Sequence, residues 1–204
     1  MNPFIVGLDL GQASDFTALA IAERHGDPAR FDFRHLQRFK LGTAYPEIVR
    51  TLQTLFFATP ALRGATLVAD ATGVGAPVVD MLRAGGLSPY AVTITGGDSA
   101  THEGGHHRVP KRDLVSAVQV LLQSGRLKIA KELPDAEVLV TELLNFQVRI
   151  TNSANDIYGA WREGTHDDLV LAVALACWWG MQPRPWYMDL AGTQAANAGP
   201  APPG

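Results

Sequence analysis

The sequence FIVGLDLG, at residues 4–11, contains seven apolar residues or glycines around one aspartate. Its nearly unbroken apolar character predicts a buried strand. Side chains alternate along a strand, so Asp9 shares a face with Ile5 and Gly7. A carboxylate in the first strand of a core sheet is costly unless it is paired or binds a metal ion. The alternative interpretation is an aspartate at the end of the strand that caps the turn at Gly11.

The chain that follows divides into an antiparallel part and an alternating part. Strands are predicted at 17–23 and 31–39, with the turn sequence HGDP at 25–28 between them. Three strands joined by short turns indicate an antiparallel meander. Helices and strands then alternate, which implies parallel crossovers. The predicted bounds are 45–57 and 74–84 for these helices, and 66–70 and 90–95 for these strands.

The second half of the chain is predicted to be mainly helical. A loop at 96–110, rich in glycine and histidine, leads into it. Helices are predicted at 111–123, 134–144 and 165–179, with a hairpin at 146–150 and 156–161. The last helix is apolar all round and is therefore expected deep in the core. We expect one α/β domain over residues 1–181 and a disordered tail, rich in Pro, Ala and Gly, over residues 182–204.

The composition limits what these elements can build. The 204 residues suffice for one well-buried domain, and 47% apolar with 18% charged residues is an ordinary globular balance. The net charge of −3 does not favour a broad basic DNA-binding face, although acidic metal ligands would lower the total locally. The single cysteine, Cys177, excludes a disulfide framework and suits a cytoplasmic location. The longest apolar run, 169–179, is shorter than the roughly 20 residues that span a bilayer.

A second carboxylate lies at the end of another strand. LVAD at 67–70 closes that strand, and ATGVG at 71–75 leads into the next helix. Ligand sites in α/β sheets lie at the carboxyl ends of strands, so Asp70 is placed where chemistry is usually carried out. The alternative is an aspartate that only starts a turn.

Two more carboxylates stand before the last helix, in THDD at residues 165–168. The spacing of Thr165 and Asp168 fits a capping box, which is the structural alternative. A cap, however, does not require two adjacent aspartates. Asp167 and Asp168 can both stay ionised at the edge of a core sheet only with cations nearby.

Together these positions predict a site for hard divalent cations. Mg²⁺ and Mn²⁺ take oxygen ligands. Two such ions about 4 Å apart can activate a water molecule and stabilise the leaving oxygen of a phosphodiester. The chain contains no Gly-x-Ser-x-Gly, Walker-type or Gly-x-Gly-x-x-Gly motif that would indicate other chemistry.

Three blocks of sequence resemble the nuclease domain of bacteriophage terminase large subunits. They are GLDLG at 7–11 with DFTA at 15–18, VADATGVG at 68–75, and HDDLVLA at 166–172. The spacing of the blocks is also similar, and the resemblance spans residues 4–179. The closing block, two aspartates before an apolar, alanine-rich helix, is the most specific of the three.

The resemblance implies an RNase H-like fold, with a mixed five-stranded sheet of order 3-2-1-4-5 and helices on both faces. It implies cleavage of double-stranded DNA during genome packaging, dependent on two Mg²⁺ or Mn²⁺ ions. Asp9, Asp70 and Asp168 match the catalytic, metal-binding acidic residues of that family. Asp167 is the adjacent metal-ligand candidate, and Asp168 is preferred because it directly precedes the apolar helix. A viral protein of this kind would work in the host cytoplasm.

The chain departs from the family in one respect: full terminases carry an N-terminal packaging ATPase, and these 204 residues contain none. Expected partners are therefore DNA, a packaging ATPase domain, and a portal or small terminase subunit. Three alternatives stay open: an actin-like ATPase lobe, a non-catalytic DNA-binding or assembly module, and a resolvase for branched DNA on the same fold.

Basic and aromatic residues complete the set of candidates. Arg108, Lys111 and Arg112 form a small basic cluster in the sequence that is a candidate for contact with DNA phosphate, with a solvated helix start as the alternative. The histidines at 102, 106 and 107 match no standard metal spacing and are interpreted as exposed. Trp178 and Trp179 are interpreted as packing residues rather than as platforms for base stacking.

Overall fold

A computed structural model describes residues 2–11, 15–103, 106–145 and 167–183. The predicted hairpin within 146–161 and the predicted tail beyond residue 183 lie outside the described residues. The strands are β1 (Phe4–Asp9), β2 (Ala18–His25), β3 (Arg30–Arg38), β4 (Thr66–Asp70), β5 (Tyr90–Thr95), β6 (Thr101–Glu103), β7 (His106–Pro110) and β8 (Leu127–Ile129). The helices are α1 (Tyr45–Ala58), α2 (Gly75–Ala84), α3 (Lys111–Gln123), α4 (Ala136–Asn145) and α5 (Asp168–Met181).

The strands form one mixed sheet in the order β6-β7-β5-β4-β1-β2-β3-β8. β1, β2 and β3 pair antiparallel, which confirms the predicted meander. β1, β4, β5 and β7 pair parallel, as the alternation of helices and strands predicts. The middle five strands therefore follow the predicted order 3-2-1-4-5, and three further strands extend the sheet at its edges.

The prediction of a loop over residues 96–110 is wrong, because that stretch contains β6 and β7. These two strands form an antiparallel ribbon in which His102 lies opposite His107. Their polar side chains hide the strand pattern, because all of β6 and part of β7 are exposed near the edge of the sheet. The three-residue strand β8 was also missed, because so short a segment is defined by its pairing with β3 rather than by its own pattern.

Helices cover both faces of the sheet, as expected. α1 and α2 pack with the face that carries Val6 and Leu8. α3, α4 and α5 pack with the opposite face, which carries Ile5 and the alanines of β2. Because β1 alternates, Asp9 lies on the same face as Ile5 and is directed to the side of α5.

Helix α5 is the centre of that second layer. It is buried along nearly all of its length, as its uniformly apolar sequence predicts. It lies against β1 so closely that a Cβ atom on Gly7 would overlap the backbone carbonyl of Ala172. Among the described residues no helix, α5 included, is both long and apolar enough to cross a membrane.

Candidate metal centre at the carboxyl ends of the central strands

Asp9 and Asp70 end two neighbouring parallel strands. The register of β1 and β4 pairs Leu8 with Ala69, so the two aspartates follow at the same edge of the sheet. Val68 belongs to the core on the α5 side, which places Asp70 on that side as well. Both carboxylates are buried, with 6% and 8% of their residue surface exposed.

The turn after Asp9 is fixed by three contacts. The N–H of Gly11 donates to the Thr17 hydroxyl oxygen at 3.2 Å, and the Tyr45 hydroxyl donates to the Gly11 carbonyl at 2.9 Å. A Cβ atom at Gly11 would overlap the backbone of Phe16. The chain direction just beyond Asp9 is therefore determined by packing as well as by hydrogen bonds.

Asp70 also starts a turn, so the structural alternative for this residue is correct for one of its oxygens. Its Oδ1 accepts the backbone N–H of Thr72 at 2.8 Å and the hydroxyl of the same residue. That hydroxyl oxygen in turn accepts the N–H of Ile94 at 2.8 Å, which ties the turn to β5. A turn role and a ligand role are compatible, because an ionised carboxylate has about four lone-pair positions.

The start of α5 brings the remaining two carboxylates to the same place. The helix begins at Asp168, with Asp167 as its N-cap residue, so Asp168 does not occupy the third helical position that the capping-box alternative requires. Asp168 is buried, with 5% exposed. Asp167 Oδ2 lies 2.7 Å from the ammonium nitrogen of Lys111, the first residue of α3.

The charges of the other three aspartates all act on Asp9. Burial raises its pKa well above the ordinary value, and the negative charges of Asp70, Asp168 and Asp167 raise it further. Lys111 opposes this effect and lowers the pKa. The structure thus gathers the four sequence-predicted acidic residues around one buried position.

This donor set fits hard divalent cations. Every candidate ligand is a carboxylate oxygen, the type that Mg²⁺ and Mn²⁺ prefer. Buried negative charge in excess of one lysine would be relieved by positive charge between the aspartates. Within the described ranges, however, no group of three acidic, histidine or cysteine side chains is placed so that it could hold a metal ion. The ligand roles of these aspartates therefore stay predictions.

The three basic candidates have different surroundings. Lys111 is directed into the acidic site, where it pairs with Asp167. Arg112 is held by Asp98, at 2.8 Å from its carboxylate, in the loop after β5. Arg108 is exposed on β7. A contact of each with DNA stays a prediction.

The aromatic candidates lie at the other end of α5. Trp178 and Trp179 both pack with His107, and Trp179 also packs with Tyr90, with 4.1 Å between the ring centroids. His102 stacks on His107 at 4.3 Å. This arrangement agrees with a packing role for the tryptophans.

Sequence reasoning missed Glu142. It lies on α4, is 5% exposed, and its Oε2 accepts the backbone N–H groups of Leu169 and Val170 at 2.9 and 3.1 Å. Burial raises its pKa to about 7, the nearby charge of Asp168 adds to this, and hydrogen bonds from Val170 and Arg38 oppose it. The available signal was a glutamate three residues after Leu139, on the helix face that should be apolar.

Comparison with known proteins places this geometry in context. The sequence profile described as "Terminase RNaseH-like domain" matches residues 6–177. The terminase large subunit of Thermus phage G20c is 24% identical over 173 residues, which cover 85% of this chain and 31% of that protein. The chain thus spans about a third of the length of the curated relatives it matches.

Solved structures show a similar fold. The large terminase nuclease from thermophilic phage G20c superposes with a TM-score of 0.60 at 23% identity, covering 85% of this chain and 80% of that one. The human cytomegalovirus terminase nuclease domain, soaked with Mn and bound to an inhibitor, gives 0.53 at 17% identity, covering 86% and 83%. At these identities the structural likeness concerns the fold alone.

Proposed function

The chain belongs to the family of terminase RNaseH-like domains, and from that premise we propose that it is an endonuclease which cleaves double-stranded DNA during viral genome packaging. The observation that carries the proposal is the convergence of Asp9, Asp70, Asp167 and Asp168 on one buried position. The match over residues 6–177 favours this function over an actin-like ATPase lobe.

The proposed cofactors are two Mg²⁺ or Mn²⁺ ions, held by Asp9, Asp70 and Asp168, with Asp167 as an adjacent ligand. Bound there, they would activate a water molecule and stabilise the leaving oxygen of the phosphodiester. The Mn-soaked structure of the cytomegalovirus domain supports the choice of ion. The all-oxygen donor set supports it independently.

The chain's own residues contribute position and charge. Asp9 and Asp70 stand on adjacent strands whose following turns are fixed by Thr17, Tyr45 and Thr72, so their carboxylates start from defined places. Lys111 keeps one positive charge beside Asp167, at the edge where a phosphate would arrive. Its charge offsets part of the repulsion between that phosphate and the aspartates.

The partners proposed for the full system are duplex DNA, a packaging ATPase domain, and a portal or small terminase subunit. The support is that the matched relatives are terminase large subunits about three times the matched length. The host cytoplasm is the proposed location, as packaging of a phage genome would require.

The decisive test is cleavage of supercoiled plasmid with Mn²⁺ or Mg²⁺, with EDTA as the metal-free arm. We expect nicking and linearisation that EDTA abolishes. Asp70→Ala should fold and fail to cut, whereas the matched variant Asp80→Ala, which changes an exposed aspartate on α2, should cut normally. Unchanged cutting by Asp70→Ala would remove this residue from the site. A four-way junction cleaved in preference to the plasmid would favour the resolvase alternative.

A further inference from the structure

The start of α5 is held by a residue from another helix. Asp167, at the N-cap, makes no capping side-chain hydrogen bond within the described part of the chain. Glu142 of α4 takes that place, because its Oε2 accepts the N–H groups of Leu169 and Val170. These are two of the donors that a helix leaves unsatisfied at its first turn. A carboxylate there also interacts favourably with the helix dipole.

Glu142 is itself held in place from its other side. Its Oε1 accepts a hydrogen bond from Arg38 Nη1 at 3.2 Å. The backbone N–H of Arg38 donates to Asp135 Oδ2 at 2.7 Å, just before α4, and its guanidinium lies 3.7 Å from the centre of the Phe16 ring. The end of β3, the helix α4 and the start of α5 are therefore connected through one carboxylate.

The two captured N–H groups belong to the residues that directly follow Asp168. Fixing them fixes both the rotation of α5 about its axis and the height of its first turn. Gly7 provides the second constraint, because its contact with the Ala172 backbone sets how closely α5 approaches β1. Together the contacts define where the Asp168 carboxylate stands relative to Asp9.

We propose that Glu142 is a positioning residue for the metal site, which orients Asp168 toward Asp9 and Asp70 by capping α5 from outside that helix. This inference rests on the proposed metal-dependent nuclease function. Outer partners that orient metal ligands typically change metal affinity by about 10- to 100-fold when removed. A cap with a purely structural role would change the stability of the fold and leave the metal affinity of the folded protein unaltered.

The test compares variants that separate position from charge. Glu142→Gln keeps an oxygen acceptor at the same reach and gives up the ionic contact with Arg38. Glu142→Asp keeps the charge but draws the oxygen back by one methylene. Glu142→Ala removes both, and Glu137→Ala, an exposed glutamate in the first turn of α4, is the matched control.

The readouts are Mn²⁺ affinity of the metal-free protein by titration calorimetry, and plasmid cleavage as a function of Mn²⁺ concentration. We expect Glu142→Asp and Glu142→Ala to bind Mn²⁺ at least about tenfold more weakly, Glu142→Gln to stay within about threefold, and Glu137→Ala to match the original protein. Excess Mn²⁺ should restore most of the cleavage lost by Glu142→Asp. If Glu142→Ala does not fold, the comparison of Glu142→Gln with Glu142→Asp still tests whether the position of the oxygen sets the Mn²⁺ affinity.

Two results overturn the inference. Folded Glu142→Asp with unaltered Mn²⁺ affinity would show that the cap does not position the site. A larger loss of Mn²⁺ affinity in Glu142→Gln than in Glu142→Asp would show that the charge of Glu142 matters rather than the position of its oxygen. If the unaltered protein cleaves and binds Mn²⁺ while all variants match it, only this inference fails. If the unaltered protein neither binds Mn²⁺ nor cleaves DNA, the proposed function fails and this inference fails with it.

Discussion

The two ends of α5 bury opposite kinds of side chain, acidic at the beginning and aromatic at the end. At its beginning, Asp167 and Asp168 meet Asp9 and Asp70 in a buried position that accumulates negative charge. At its end, Trp178 and its neighbours form an aromatic cluster beside a cavity of about 550 Å³. The first end holds charges where burial disfavours them, and the second holds large rings where burial favours them.

We therefore expect the acidic end of α5 to contribute to function and the aromatic end to contribute to the stability of the fold. The raised pKa of Asp9 means that its ionised form is less stable in the fold than in water. Burial by itself disfavours a carboxylate at this position, and the proposed metal site would give its charge a role. The aromatic end needs no such explanation, because its burial itself stabilises the domain.

The largest effect should follow from removing the charge of Asp9. Asp9→Asn keeps the shape of the side chain and removes a charge that burial and three aspartates disfavour. We expect plasmid cleavage to fall by about a thousandfold or more, because a ligand of the proposed ions is lost. The metal-free stability should stay the same or rise, measured by urea denaturation at pH 8.

The control for Asp9→Asn is Asp80→Asn, which makes the same change on the exposed face of α2. It should alter neither stability nor cleavage. A marked loss of stability in Asp9→Asn would contradict the comparison, since it would mean that the acidic end supports the fold instead of straining it.

The converse effect is expected at the aromatic end. Trp178 is 8% exposed, and truncating a buried tryptophan to alanine typically costs about 3–5 kcal/mol of unfolding free energy. Trp178→Ala should therefore lose stability on that scale while the remaining folded protein cuts DNA at the normal rate. Denaturation and cleavage measured well below the melting temperature test both parts. If folded Trp178→Ala no longer bound Mn²⁺, the aromatic end of α5 would also be required for the metal site, and the proposed separation of the two ends would be wrong.

The two ends should also respond to pH with opposite signs. Asp9 and Glu142 have raised pKa values, so the folded state keeps protons that the unfolded chain releases. The metal-free stability should therefore fall as the pH rises from 4.5 toward about 7, the range between the ordinary and the folded value for Glu142. At His107, burial and the charges of His102 and His106 lower the pKa. The contribution of neutral His107 to the free energy of unfolding is therefore present above pH 6.5, and it is lost as the pH falls below that value.

Stabilisation of the fold by divalent ions should depend on pH through the acidic end of α5 and not through the aromatic end. Mg²⁺ at 100 times its dissociation constant should stabilise the fold by about 2.7 kcal/mol at pH 8. At pH 5 it should stabilise the fold by less, because the raised pKa of Asp9 lets protons compete more strongly with the ion at low pH. Thermal denaturation at both pH values, with Mg²⁺ or EDTA, measures this. Asp9→Asn should abolish the difference, whereas His107→Gln should leave it intact. Equal stabilisation by Mg²⁺ at both pH values would argue against Asp9 as a ligand.

The sequence predicted most of the fold because its strongest patterns are local. The buried strand around Asp9, the meander that follows it and the apolar helix after Asp168 can each be recognised within a few residues. The acidic positions were accessible for the same reason, since each aspartate ends a strand or starts a helix. The parallel pairing of β1 with β4 brings Asp9 and Asp70 together, and the packing of α5 against β1 places Asp167 and Asp168 on the same side of the sheet.

What sequence reasoning missed depends on partners far apart in the chain. β7 is defined by pairing with β5, and its polar side chains carry no alternation that would identify it. Glu142 acts on backbone groups 27 and 28 residues away, and no local motif encodes such a cap. For Lys111 the sequence offered a phosphate contact or a solvated helix start, and it did not reveal the pairing with Asp167, which spans 56 residues.

The smallest expected effect concerns how DNA meets the acidic end. Arg108 is exposed on β7, the strand that leads to Lys111 at that edge of the sheet, whereas Arg63 is exposed before β4 at the opposite edge. If duplex DNA lies across the acidic end, Arg108→Ala should weaken binding a few-fold and reduce the salt dependence of the affinity by about one ion. Arg63→Ala should change neither quantity, because its charge lies away from the DNA. Fluorescence anisotropy with a labelled duplex, in Ca²⁺ to prevent cutting and over a range of salt concentrations, measures both variants. An equal loss in both would mean that the DNA is attracted by the overall field of the protein, and that the two ends of α5 are not distinguished by their contact with the substrate.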